Sequence, residues 1–183
     1  MSIIEIKDNV FSVGAIDWNI RDFHGYSTEM GTTYNSYLIK DEKIALFDTV
    51  KREFRDDLLF HISELIDDPE KIDYLIVNHV EMDHSGAFPD IIDLIKPEKI
   101  FCSKNGHKAL VEHFHRDDLP FEIVKTGDSI SLGKKTVSFI ETPMLHWPDS
   151  MFSYIPEDKL LISSDAFGQH VASTEKYADE LDD

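Results

Sequence analysis

The chain contains 183 residues, of which 42% are hydrophobic and 30% are charged, as expected for one globular domain with a sizeable core. Its formal net charge of −18 argues against binding to nucleic acid or to an anionic membrane surface, because both require a basic face. The sequence lacks the pattern of a secretory signal and any apolar run of the roughly 20 residues that span a bilayer. We therefore expect a cytoplasmic protein.

The first half of the chain predicts strands followed by alternating strands and helices. Early strands are expected at 3–6, 10–16, 37–39 and 44–47, where short apolar runs are separated by turns. A helix follows, because apolar residues recur at helical spacing from Phe54 to Leu65. His61 on this helix is expected at the surface.

The remaining elements complete the pattern of a sandwich. A buried strand at 74–77, a helix at 88–95, a strand at 100–102 and a helix at about 105–115 are predicted in that order. Further strands are expected near 130–132, 137–140, 152–155 and 160–162. Strands, then alternating strands and helices, then strands again favour an α/β fold in which helices cover the sheets.

Four residues of metal-binding type occur within six positions, directly after the strand predicted at 74–77. They are His79, Glu81, Asp83 and His84. Loops at the carboxyl ends of strands are where open α/β sheets usually place their sites. In an extended backbone the first three would project to one side, and the last would turn in from the following helix. The spacing favours a metal site over a solvated acidic loop.

Two further candidate ligands follow predicted strands later in the chain. His146 lies in a loop with Trp147 after the strand at 137–140, and Asp165 follows the strand at 160–162. Taken alone, either ligand candidate is more often structural. Because three separate strands each end in residues of ligand type, we expect six donors to converge on one rim.

This set of residues resembles that of the flavodiiron proteins, which belong to the metallo-β-lactamase superfamily. The resemblance extends over essentially the whole chain and includes the segments 33–37 and 46–49. It implies an αβ/βα sandwich and a metallo-β-lactamase-like diiron domain over residues 1–183. The family has a further histidine ligand downstream of Asp165 and a flavodoxin-like domain that carries FMN. On the resemblance, we therefore expect a domain that is truncated in its second half, with the FMN domain absent.

The resemblance also implies roles for individual residues. His79, Glu81 and His146 would bind one iron, Asp83 and His84 would bind the other, and Asp165 would bridge the two irons together with an oxo or hydroxo group. Asp48 resembles a buried aspartate that orients ligands without binding metal. His24 and Tyr26 are expected to line the pocket, and Trp147 to lie near FMN and shield the site.

The activity implied by the resemblance is reduction of O2 to water, of NO to N2O, or of both. Electrons would pass from rubredoxin or a similar donor through FMN to the irons. Family members pair head to tail, so that the FMN of one subunit meets the irons of the other. These residues alone are not expected to sustain turnover.

Other functions stay open from the sequence, namely a flavin-free diiron sensor of oxygen, a zinc-dependent hydrolase of the same superfamily and a metal-free scaffold. Glu81 argues against the hydrolase, since hydrolases of the superfamily carry histidine at this position. A carboxylate in place of an imidazole adds a negative charge and a harder oxygen donor. This exchange favours iron and redox chemistry over zinc and hydrolysis.

Overall fold

The computed structural model describes residues 3–23 and 25–181, except for the side chain of Tyr26. Two β-sheets and a layer of helices form most of the structure. The strands are β1 (Ile4–Lys7), β2 (Val10–Ser12), β3 (Ala15–Asp17), β4 (Asp22–Phe23), β5 (Tyr26–Ser27), β6 (Thr32–Tyr34), β7 (Tyr37–Ile39), β8 (Ile44–Phe47), β9 (Ile72–Val77), β10 (Lys99–Cys102), β11 (Phe121–Ile123), β12 (Ser129–Ser131), β13 (Thr136–Glu141), β14 (Met151–Ile155) and β15 (Leu160–Ile162). The α-helices are α1 (Arg55–Ser63), α2 (Met82–Ser85), α3 (Phe88–Ile95) and α4 (Lys104–Phe114). Short 3-10 turns occur at Arg52–Phe54, Pro69–Lys71 and Ala178–Glu180.

The larger sheet has seven strands in the order β1-β2-β7-β8-β9-β10-β11. From β8 to β11 the strands are parallel, and helices connect each to the next, so the carboxyl ends of β8 and β9 lie at the same edge. The smaller sheet is antiparallel, with the order β12-β13-β14-β15. Two short pairs, β3 with β6 and β4 with β5, accompany the two sheets.

The central strands of the larger sheet are buried on both faces, and their side chains alternate between two apolar clusters. In β8, Leu46 belongs to the cluster that includes residues of α1, α3 and α4, whereas Ala45 and Phe47 belong to the second cluster. That second cluster also contains Phe139 and Met151 from the smaller sheet. Such strands have nearly continuous hydrophobic sequences, because neither face is exposed to water.

The predicted α/β sandwich is confirmed, and several elements have the predicted bounds, including the strands at 37–39, 44–47 and 160–162 and the helix at 88–95. The single early strand predicted at 10–16 is wrong, since it divides into β2 and β3 of different sheets. The break falls beside Gly14, where a Cβ atom would lie only 2.0 Å from the Tyr34 carbonyl oxygen. The prediction for His61 is also wrong, because its ring is buried with Nδ1 3.0 Å from the Val13 carbonyl oxygen.

Within residues 3–23 and 25–181, no helix combines the length and the apolar character that a membrane crossing requires.

Gly86, which ends α2, packs closely against the turn that precedes α1. A Cβ atom there would lie 2.8 Å from the Arg52 amide nitrogen and 2.5 Å from the Met82 carbonyl oxygen. We expect Gly86→Ala to lower the free energy of unfolding by about 1–3 kcal/mol, because backbone atoms must move to admit the methyl group. Urea denaturation measures this change.

Gly106→Ala in α4 is the matched control. The atom nearest to its added methyl group is the Ser103 hydroxyl oxygen at 3.2 Å, and alanine favours the helix by about 1 kcal/mol. We expect little or no loss of stability in this variant. Equal stability of both alanine variants would contradict the close packing at Gly86.

Candidate metal centre

The loop after β9 carries four of the candidate ligands and changes direction sharply. The strand ends at Val77, and Glu81 lies at the amino terminus of α2, where its carbonyl oxygen accepts hydrogen bonds from the amides of His84 and Ser85. The expectation of an extended backbone through Asp83 is therefore wrong. Asp83 projects from the first turn of a helix, and this turn brings it beside His84.

Asp48 and Thr49, which follow β8, hold the backbone of this loop. The Asp48 carboxylate accepts hydrogen bonds from the amides of Asn78 at 2.7 Å and His79 at 3.3 Å. The amide and hydroxyl of Thr49 both donate to the His84 carbonyl oxygen, at 2.7 and 2.8 Å. Burial raises the pKa of Asp48 to about 6, although the neighbouring histidines and both amide donors oppose the increase.

A first group of four donors comprises His79, Glu81, His146 and Asp165, whose ligand atoms all lie within 4.8 Å of one another. Glu81 Oε2 is 3.2 Å from His79 Nε2 and 3.0 Å from His146 Nε2. Asp165 Oδ2 lies 3.3 Å from His146 Nε2 and 3.7 Å from His79 Nε2. Two imidazoles and two carboxylates thus converge from three separate loops.

A second group comprises Asp83, His84 and again Asp165. His84 Nε2 is 2.5 Å from Asp165 Oδ1 and 3.5 Å from Asp83 Oδ2. The Asp83 Oδ1 atom is buried and has no hydrogen-bond partner in the described part of the chain. The two oxygens of Asp165 therefore face different groups, which is the arrangement that a carboxylate bridging two cations requires.

Hydrogen bonds to carboxylates raise the pKa values of two histidines in this cluster. Burial lowers the pKa of His79, but hydrogen bonds to Asp149 and Glu81 outweigh it and raise the pKa to about 10. In the same way, Asp165 overcomes the burial of His84 and raises its pKa to about 9. Partial burial raises the pKa of the Asp165 carboxyl, but its contact with His84 outweighs this effect and lowers the pKa to about 2. A site that stabilises extra positive charge so strongly is suited to cations.

The residues present fit two cations bound by nitrogen and oxygen donors. Imidazole and carboxylate are ligands that iron, zinc and manganese all accept, and the cluster contains no thiolate. The buried, unpartnered oxygen of Asp83 further supports a cation beside the second group, because a buried polar atom ordinarily has a partner.

Two cavities approach the cluster from different sides. One, of about 310 Å³, is lined by Asp83, His146 and Asp165 together with Thr32 and His170. The other, of about 330 Å³ and mainly apolar, is lined by residues that include Glu81 and Trp147. The first cavity thus reaches three of the donors, and the second reaches Glu81.

Trp147 separates one donor from solvent. Its ring packs edge-on against His79, with 5.4 Å between ring centroids, and is 42% exposed. Its expected proximity to FMN stays a prediction. His24 and the side chain of Tyr26, the predicted pocket residues, lie outside the described residues.

Asp149 is a site residue that the sequence analysis missed. Its buried carboxylate oxygen Oδ2 lies 2.9 Å from His79 Nδ1 and accepts a hydrogen bond from the Val80 amide at 2.8 Å. The available signal was an acidic residue three positions after His146, since a metal-binding histidine usually donates its other ring N–H to a carboxylate or carbonyl.

Comparison with known proteins identifies the family to which the chain belongs. A family model described as ODP family beta lactamase matches residues 32–183. The chain belongs to this family. Its β-lactamase-type fold agrees with the sandwich, and the matched range contains all six predicted metal ligands and Asp48.

Relatives of this chain carry redox names. The rubredoxin-oxygen oxidoreductase of Megalodesulfovibrio gigas is 54% identical over 182 residues, which cover 99% of this chain and 45% of that protein. The nitric oxide reductase of Moorella thermoacetica is 51% identical, with coverage of 98% and 45%. A solved flavodiiron protein from Giardia intestinalis superposes with a TM-score of 0.94 at 38% identity, covering 99% of this chain and 44% of that one. The resemblance to flavodiiron proteins is confirmed, and the chain spans 45% of the length of the two curated relatives.

Cation binding should release protons, because His79 and His84 must lose theirs to act as ligands. With pKa values of about 10 and about 9, both imidazoles are protonated at pH 8 in the metal-free protein. We expect roughly two protons to be released when two zinc ions bind at pH 8, and progressively fewer as the pH rises towards 10. Calorimetric titrations in buffers of different ionisation enthalpy give this number. His113→Gln, outside both groups, should leave it unchanged.

The same pKa shifts fix the sign of the stability change in the metal-free protein. The folded-state pKa values of His79 and His84 both lie above the ordinary value of 6.5. Their contribution to the stability of the fold is therefore fully present below pH 6.5 and is lost as the pH rises through 9 and 10. Resistance to urea should therefore fall between pH 8 and pH 10. A stability that rises over this interval would contradict the pairing of these histidines.

Proposed function

We propose that this chain forms the diiron part of a reductase of oxygen, of nitric oxide, or of both. The observation that carries the proposal is the Asp165 carboxylate, whose two oxygens face two donor groups that share no other residue. A shared carboxylate between two adjacent groups suits a pair of metal ions better than a single ion. The redox names of relatives that match nearly the whole chain support the choice of reaction.

In this proposal His79, Glu81 and His146 would hold one iron, Asp83 and His84 would hold the other, and Asp165 would contribute to both. The Asp48 carboxylate keeps the ligand loop in place by accepting hydrogen bonds from the amides of Asn78 and His79. When bound, the two irons supply electrons and open positions for a diatomic substrate. The cavity beside Asp83, His146 and Asp165 gives such a small molecule access to both groups.

We propose that the electrons come from outside the residues of this chain. We propose FMN and a rubredoxin-like donor, a head-to-tail homodimer and a cytoplasmic location, in line with the resemblance to flavodiiron proteins. The mainly apolar cavity next to Trp147 and Glu81 offers a flat aromatic cofactor a way to approach the first group without entering the substrate cavity.

Glu81 favours iron over zinc in this site. It lies between the two imidazoles of the first group and is buried, so its negative charge acts at short range on any cation held there. With Asp83 and Asp165 it contributes three carboxylates to the two groups. Added negative charge and hard oxygen donors stabilise the more highly charged state of a redox metal.

The choice of metal follows from Glu81. Protein produced in iron-replete cells should contain iron in preference to zinc, and Glu81→His should shift the content towards zinc by replacing an oxygen donor with nitrogen. Elemental analysis measures both contents. Glu112→His is the control, because Glu112 lines the neighbouring cavity but belongs to neither donor group. Stoichiometric zinc in the unaltered protein, with hydrolysis of a thioester or lactam, would support a hydrolase instead.

Asp165 should be essential for gas reduction, since both donor groups depend on it. With reduced FMN protein and a rubredoxin-like donor, Asp165→Asn should consume O2 and NO at a rate at least about tenfold below that of the unaltered protein. Asp158→Asn is the control, because that carboxylate pairs with Lys135 at 2.6 Å outside both groups. Gas electrodes measure the rates. Unchanged consumption in the Asp165 variant would rule out the shared carboxylate as the basis of the activity.

A further inference from the structure

We infer that Asp149 is a positioning residue that orients His79 and couples it to the loop carrying His146. The inference rests on the proposed metal centre, because it concerns how two of its imidazoles are held. Asp149 is only 5% exposed, and its Oδ2 atom meets both the Nδ1 atom of His79 and the amide of Val80. One oxygen therefore fixes the ring and the backbone of the same loop.

The hydrogen bond to Asp149 determines which ring nitrogen of His79 is free to bind metal. An ionised carboxylate only accepts hydrogen bonds, so Nδ1 must carry the hydrogen. The Nε2 atom then presents its lone pair to the side where Glu81 and Asp165 lie, once a cation has replaced its proton. Without Asp149, the ring would lose both its preferred tautomer and its restraint against rotation.

The loop that carries Asp149 also carries His146, and several hydrogen bonds hold its backbone in place. The Asp149 carbonyl oxygen accepts a hydrogen bond from the Ser103 hydroxyl at 2.8 Å, and the next carbonyl back, that of Pro148, accepts one from the Asn105 side chain at 2.9 Å. Both donors lie at the amino terminus of α4. The loop is thereby held between this helix and the end of β9.

His146 depends on that support. Its backbone has φ of +118°, in a region that a residue with a side chain rarely adopts, and its side chain is 42% exposed. Such a conformation persists only where the surrounding structure imposes it. Asp149 provides part of this restraint, because its side chain joins the loop to the His79 loop. The loop thus contributes one ligand directly and orients another.

The second donor group is held by different contacts. The His84 backbone accepts two hydrogen bonds from Thr49, and its Nδ1 atom lies 3.4 Å from the Ser164 hydroxyl. Removal of the Asp149 carboxylate should therefore weaken the first group far more than the second. This asymmetry separates a positioning role from a general loss of stability.

Zinc titration of the purified protein tests the inference, since zinc is diamagnetic and binds nitrogen and oxygen donors. In competition with a chelator, Asp149→Ala should weaken one of two zinc equivalents by about 10–100-fold and change the other by less than about threefold. Asp149→Asn, whose amide oxygen can still accept both hydrogen bonds, should lose less than about tenfold. Asp73→Asn is the matched control, because Asp73 likewise accepts one side-chain and one backbone hydrogen bond, from Lys43 and Ile44, at the opposite end of β9.

A second measurement does not depend on the stability of the alanine variant. Long-range ¹H–¹⁵N spectra of the zinc-loaded protein should show His79 with hydrogen on Nδ1 in the unaltered protein and in Asp149→Asn. Hydrogen on Nε2 instead, or unchanged affinity for both zinc equivalents in Asp149→Ala, would overturn the inference. An equal loss at both equivalents would also overturn it. If the unaltered protein bound no metal, the proposed function would be overturned as well. If only the inference failed, the unaltered protein would still bind metal, so the two failures are distinguishable.

Discussion

The organisation of this molecule depends on the balance of charge among buried imidazoles and carboxylates at the carboxyl ends of the strands. Glu81, Asp83 and Asp149 are each less than a tenth exposed, and such carboxylates repel one another strongly when water is excluded. His79 and His84 counter this repulsion by retaining protons, as their raised pKa values indicate. We expect cations to replace those protons on binding, because the same imidazoles must lose them to act as ligands.

The parallel half of the larger sheet makes this concentration of charge possible. The ends of β8 and β9 lie side by side, so Asp48 and Thr49 from one loop reach the amide and carbonyl groups of the ligand loop beside it. These contacts satisfy backbone groups that would otherwise be buried without partners. The sheet thus fixes the positions of the candidate ligands through hydrogen bonds to their backbone.

Much of the fold and of the donor set is predictable from the sequence, because apolar periodicity identifies most strands and helices and the ligand types cluster directly after strands. The six donors converge in two groups, as their positions after β9, β13 and β15 indicate. Local pattern does not reveal α2, which is one short turn. It also does not reveal the burial of His61, whose acceptor lies between β2 and β3, 48 residues away in sequence. Asp149 was missed for the same reason, since its partner His79 lies 70 residues away. Contacts of this kind exist only once the sheets have packed.

The donors are divided between the two sheets of the sandwich. His79, Glu81, Asp83 and His84 follow a strand of the larger sheet, whereas His146 and Asp165 follow strands of the smaller one, and Asp165 lies 81 residues after His84. A cation bound by both sets therefore acts as a crosslink between the sheets, in parallel with the apolar core they share. Mechanical and thermal resistance of the sandwich then depends on the concentration of free metal, because binding to the folded state alone adds to its stability by mass action. A metal centre at this position would therefore stabilise the fold in addition to any chemical role.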